Sequence, residues 1–152
     1  MSMPQLVTGN VNGKVSSRLV SDANSMRRQF FGSTPRTVIN IATYTLVQKI
    51  LSLKDSHSID SIFVNNSLSF INNIDTLRSK FELVNYPPSV SYNDFGEFAY
   101  EWWGRNKKLT IYQATNGFSY VKVWGSNIHT DMQDGSITDL LQLKSLLIWM
   151  EC

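Results

Sequence analysis

Residues 87–135 constrain the fold more than any other part of the chain. Three runs rich in aromatic and β-branched residues are each closed by a turn signal, which is the pattern of an antiparallel meander. The turns are Asn93-Asp94-Phe95-Gly96, Gly104-Arg105-Asn106 and Asn116-Gly117. The last is a strong hairpin signal because both of its residues tolerate positive φ. Period-two alternation puts Phe98, Tyr100 and Trp102 on one strand face and Glu97, Ala99, Glu101 and Trp103 on the other. Leu109 and Ile111 alternate with Lys108, Thr110 and Tyr112; Val121 and Val123 alternate with Tyr120, Lys122 and Trp124. If the aliphatic faces cover helices, several aromatic rings are left at the opposite face or the rim. A further strand is expected over residues 127–132, giving three to four strands in all.

Before the sheet, Thr34-Pro35 offers an N-cap hydroxyl followed by a proline at the first helical position. Ile39, Ala42, Leu46, Ile50 and Leu53 then recur at helical spacing, predicting a helix over 35–54. Ile59, Phe63, Phe70, Ile74, Leu77 and Phe81 predict a second helix over 59–81, with weak helix formers at Asn65-Asn66 and Asn72-Asn73. Pro87-Pro88 stops it and forces an extended entry into the sheet. After the sheet, Ser136 and Asp139 have the spacing of a capping box. Leu140, Leu143, Leu147 and Met150 form the seam of a C-terminal helix, widened by Ile137, Leu141 and Ile148, while Leu146 and Trp149 lie well round from it. The expected architecture is α+β: two helices, the meander, then the C-terminal helix packed on the sheet. Residues 34–152 form one domain, preceded by a loosely ordered basic arm over residues 1–33.

Charge is divided unevenly. Residues 1–36 carry Lys14, Arg18, Arg27, Arg28 and Arg36 against Asp22 alone, a net +4, while the other 116 residues carry nine basic and eleven acidic side chains, a net −2. A basic arm on an acidic body suggests an anionic partner for the arm. The single cysteine, Cys152, excludes an internal disulfide and a cysteine-based zinc site. No apolar run is long enough to span a membrane and no signal peptide is evident, so the expected setting is cytoplasmic.

No catalytic constellation stands out. His57 and His129 have no second ligand at metal spacing, and no metal or cofactor is expected. His129 near Asp131 and Asp134 is the one acid–base grouping on offer, and a solvated loop explains it as well. Aromatic and basic residues are the better lead. Phe30, Phe31, Trp102, Trp103, Tyr112, Tyr120, Trp124, Leu146 and Trp149 are candidate protein-binding residues, because Trp and Tyr dominate binding hot spots. Arg18, Arg27, Arg28, Arg36, Arg105, Lys107 and Lys108 would serve a nucleic-acid surface instead, with the sheet aromatics stacking bases.

The run over 59–74, then Pro87-Pro88-Ser89-Val90, then Asp94-Phe95-Gly96-Glu97-Phe98-Ala99-Tyr100-Glu101-Trp102-Trp103 and its hairpin, resembles a widespread group of small uncharacterised bacterial proteins. Those proteins pair a helix with "P-x-V … D-G-G-x-x-x-E-W" and a short antiparallel sheet, and the likeness covers residues 45–124. Their frequent Trp-Asp-Gly-Tyr-Gly stretch is replaced here by Lys54-Asp55-Ser56-His57, and the arm has no counterpart. Such proteins are often encoded in small gene pairs or mobile elements. The resemblance therefore implies a protein partner from a neighbouring gene and transfers no catalytic residue. The sequence reading is a non-enzymatic binding protein of inhibitor, antitoxin-like or accessory type, with a homo-oligomer also open. The rival is nucleic-acid binding through the arm and sheet face.

Overall fold

The computed structural model describes residues 41–84, 87–127 and 129–152. The basic arm, the Thr34-Pro35 cap and the start of the expected first helix lie outside them. Two helices, α1 (Ile41–His57) and α2 (Ser61–Lys80), lead into five strands: β1 (Ser89–Tyr92), β2 (Phe98–Trp103), β3 (Lys107–Ala114), β4 (Gly117–Trp124) and β5 (Met132–Ile137). A third helix, α3 (Leu140–Glu151), closes the chain. The strands follow one another across a single sheet in chain order, every neighbouring pair antiparallel. The architecture is α+β.

Each of the first two helices ends in the same way, and neither end is written with glycine. Ser58 (φ 52°) and Glu82 (φ 53°) take the left-handed conformation after α1 and α2. The next amide then reaches back, Ile59 N–H to Lys54 O at 3.2 Å and Leu83 N–H to Arg78 O at 2.9 Å, in the Schellman pattern. Asp60 begins α2 by accepting from the Ile62 and Phe63 amides at 2.8 and 3.3 Å. The paired asparagines do not break α2, which runs unbroken from Ser61 to Lys80.

The sheet register fixes two faces. Phe98, Tyr100 and Trp102 lie opposite Gln113, Ile111 and Leu109, and these face the helices. Phe63 stacks on Phe98 at 5.4 Å, and Phe70 meets Tyr100 at 4.9 Å and Phe118 at 4.5 Å between ring centroids. Each such pair adds about 0.5–1.5 kcal/mol beyond its buried area. Leu46 and Ile50 of α1 and Leu143, Leu146 and Leu147 of α3 complete this core. Each fully buried aliphatic or phenyl side chain contributes about 1.5–3 kcal/mol.

Three expectations need correction. The sheet has five strands, and the last begins at Met132, where the expected strand ended. Residues 127–131 are instead a tight loop, with the Asp131 N–H on Asn127 O at 2.7 Å. Ser136 is not a helix cap, since it pairs with Ser119 in the sheet; Asp139 caps α3 by accepting from Gln142 N–H at 2.8 Å. Gln142 reaches back past the cap, its Oε1 accepting from Thr138 N–H at 2.7 Å. Finally, β4 turns its aliphatic side outward. Its register partners place Phe118, Tyr120, Lys122 and Trp124 toward the helices and leave Val121 and Val123 on the outer face.

Candidate functional site

The core-facing side of the sheet carries no reactive grouping, but it does hold a buried polar one. Gln113 Oε1 accepts from Tyr100 Oη at 2.8 Å and from Ser67 Oγ at 3.0 Å. All three side chains are shut off from solvent. Burial raises the Tyr100 phenol well above the usual tyrosine range, and the hydrogen bond with Ser67 lowers it to a lesser degree. The phenol stays neutral and donates to Gln113 within the sheet, and Ser67 of α2, donating to the same oxygen, ties the helix to it.

Where β3 and β4 pass beyond α3, Trp124 and Trp149 meet edge-on at 6.2 Å. Lys107 Nζ lies 5.0 Å from the Trp149 ring and donates to Trp149 O at 3.1 Å, and Lys122 Nζ lies 5.2 Å from the same ring. The lysine stems close the core here, and Lys107 caps the carbonyl end of α3. Of the expected binding residues, Trp102 (3% exposed) and Leu146 (6% exposed) are therefore corrected to core residues. Trp124 and Trp149 are half-buried against each other, and Tyr120 packs on the core, its ring over Gly135, where an added Cβ would meet it at 3.0 Å.

The outer face is different. Among the described residues, every helix contact given above lies on the opposite side; Glu101 and Trp103 of β2, Lys108 and Tyr112 of β3, Val121 and Val123 of β4, and Met132 and Asp134 of β5 share this outer face around the buried Ala99 and Thr110. Trp103 is 66% exposed, and Met132 is exposed as well. Lys108 sits opposite Trp103 in the register, forms a salt bridge with Glu101, and holds its ammonium 4.3 Å from the Trp103 ring centroid. This pinning pre-orders the indole in the open.

At one end of this face, the β1–β2 turn projects Phe95, 89% exposed. Asn93 builds the turn: its Oδ1 accepts from the Phe95 and Glu97 amides at 3.0 Å each, and its Nδ2 donates to Glu97 Oε2 at 2.9 Å. Behind Phe95 lies a shallow groove of about 380 Å³, lined among others by Glu97, Tyr112, Val121 and Asp134. Phe95, Met132 and the outward valines were not singled out from sequence as binding residues, and Asp134 was singled out only as a neighbour of His129. A ring at the tip of a tight turn was the available signal for Phe95; Met132 and Asp134 were hidden by the displaced strand.

Of the expected nucleic-acid residues, Arg105 is exposed in the β2–β3 turn, Lys107 is committed to Trp149 and Lys108 to Glu101. Phe30, Phe31, Arg18, Arg27, Arg28 and Arg36 lie outside the described residues. His129 is exposed, and the Asp131 carboxylate is occupied by Thr130 Oγ1 at 3.3 Å and the Asn127 amide at 3.4 Å. Gly125 (φ 71°) makes that loop feasible, since a Cβ there would lie 2.6 Å from Asp131 Oδ2. Among the described residues, no group of three His, Cys, Asp or Glu side chains is placed to hold a metal ion, and no helix is long and apolar enough to cross a membrane. Comparison with known protein families, curated proteins and solved structures finds no match to this chain.

Proposed function

We propose that the chain is a non-enzymatic protein-binding module whose contact surface is the outer face of the sheet. The observation that carries this reading is the exposed Trp103, held open by Lys108 and continuous with Tyr112, Val121, Val123 and Met132. Exposed aromatics beside half-buried aliphatics, with polar groups around them, have the composition of an interface core and its rim. The module would act by occupying a partner, as an inhibitor, antitoxin-like protein or accessory subunit of a bacterial or phage system in the cytoplasm. The resemblance noted above supports a partner encoded in a neighbouring gene.

Nucleic-acid binding is the weaker reading. Among the described residues, the outer face presents Glu97, Glu101 and Asp134 against Lys108 alone, a balance that repels phosphate. The test is co-purification from the native host, followed by titration of the purified partner against the wild type and Met132→Glu. A binary complex weakened at least tenfold by Met132→Glu is expected. Undiminished binding, or turnover of a small molecule abolished by a single substitution, overturns the proposal.

A further inference from the structure

Among the described residues no helix covers the outer face, which has an acidic end, and the chain carries forty residues before α1 whose net charge is of the opposite sign. We infer that this face is the docking site of the chain's own basic segment, with Arg27 and Arg28 against Glu97 and Asp134 and Phe30 and Phe31 over the outward valines. The inference rests on the reading of the outer face as a contact surface and adds its regulation: the segment would compete with the partner.

Charge complementarity is the first argument. Among the described residues no cation neutralises Glu97, whose carboxylate accepts from the neutral Asn93 amide, and Asp134 forms no ion pair. Lys108, the one lysine on this face among the described residues, is taken up by Glu101. Phe95 and Tyr112 flank the two carboxylates and offer ring faces to a guanidinium.

Reach is the second. His57, at the end of α1, lies against Tyr92, 5.3 Å between ring centroids, at the same end of the sheet as the groove. Ile41 is therefore no farther from that end than the length of α1, about 25 Å at 1.5 Å per residue. Passing round to the outer face adds roughly 10 Å, one layer spacing. The chain from Arg28 to Ile41 can span about 43 Å when extended, which is enough. The two phenylalanines, nearer to Ile41, fall short of the groove and so over the sheet centre.

The experiment places a nitroxide on the outer face of the full-length chain, at Ser136→Cys in a Cys152→Ser background. Amide intensities of residues 27–31 are then followed by NMR. The expected result is loss of most of their intensity near 0.05 M salt, with recovery near 0.5 M salt, where the Debye length falls to a few ångströms. The double variant Arg27→Glu/Arg28→Glu recovers them at low salt. Full intensities at every salt concentration overturn the inference, as does a loss insensitive to both salt and charge reversal. A loss seen only when the label and the isotope are on different copies also overturns it, because the segment then docks on a second molecule. The outcome is separable from the protein-binding reading: a partner gripped through Trp103 by a chain whose residues 27–31 keep their full low-salt intensity before the partner is added sinks this inference alone, and a docked segment that no protein displaces sinks the other.

Discussion

On the helix-covered side of the sheet, Phe98, Tyr100, Leu109 and Ile111 are sealed from water, while one residue along β2 from buried Trp102, Trp103 stands mostly in solvent. The same strands make both faces, and the hydrogen-bond ladder is common to them. What separates them is what lies above. On the covered face, rings from α2 stack on rings from β2 and β4, and the polar cluster Ser67-Gln113-Tyr100 is satisfied internally. On the outer face, Glu101 pairs with Lys108 and Thr110 in the middle of the sheet, with Trp103 and Val123 to one side and Tyr112 to the other. The contrast teaches that strand parity decides whether a tryptophan of β2 is buried, as Trp102 is, or stands in solvent, as Trp103 does.

The largest effect expected on this contrast is from the covered face. Phe70→Ala removes the ring that joins Tyr100 to Phe118 and should cost about 3–5 kcal/mol in denaturant unfolding. Next, Gln113→Leu leaves the Tyr100 and Ser67 hydroxyls buried without their common acceptor and should cost about 1–3 kcal/mol. The same network gives a pH dependence. The folded phenol of Tyr100 ionises above its unfolded value, so its contribution is complete below about pH 10 and declines as the pH rises past that point. Tyr100→Phe should flatten this alkaline decline, measured as unfolding midpoint against pH.

Much of this covered face was legible in the chain. The alternation of Phe98, Tyr100 and Trp102 and of Leu109 and Ile111 gave the correct faces for β2 and β3, and Pro87-Pro88 marked the entry to the sheet. Helix ends were harder, because Ser58 and Glu82 do the work usually signalled by glycine, and a left-handed serine or glutamate is invisible in sequence. The start of α3 was misplaced because Ser136 and Asp139 are both good caps; only the pairing of Ser136 with Ser119 decides between them. The outer face was the least legible. Val121 and Val123 look like core, and nothing local says that Phe118 and Tyr120 claim the helix side first. Leu146 and Trp149 were set outside the seam of α3 because the seam was drawn too narrow, whereas Leu141 and Ile148, counted within it, are exposed.

Two smaller effects sharpen the comparison. Asp139→Ala removes the acceptor for the Gln142 amide at the start of α3 and should cost about 1 kcal/mol, read as a lower thermal midpoint. Lys108→Ala breaks a half-exposed pair with Glu101 and should change stability by no more than about 1 kcal/mol, while freeing the Trp103 ring and weakening partner binding.

The most direct test sets one residue from each face side by side, Ile111→Val and Trp103→Ala, measuring unfolding free energy and partner affinity for both. The account predicts that Ile111→Val loses about 0.5–1.5 kcal/mol of stability and keeps full affinity. Trp103→Ala should stay within about 0.5 kcal/mol of the wild-type stability and lose the partner. Full affinity in Trp103→Ala, or a stability loss there as large as in Ile111→Val, would contradict it.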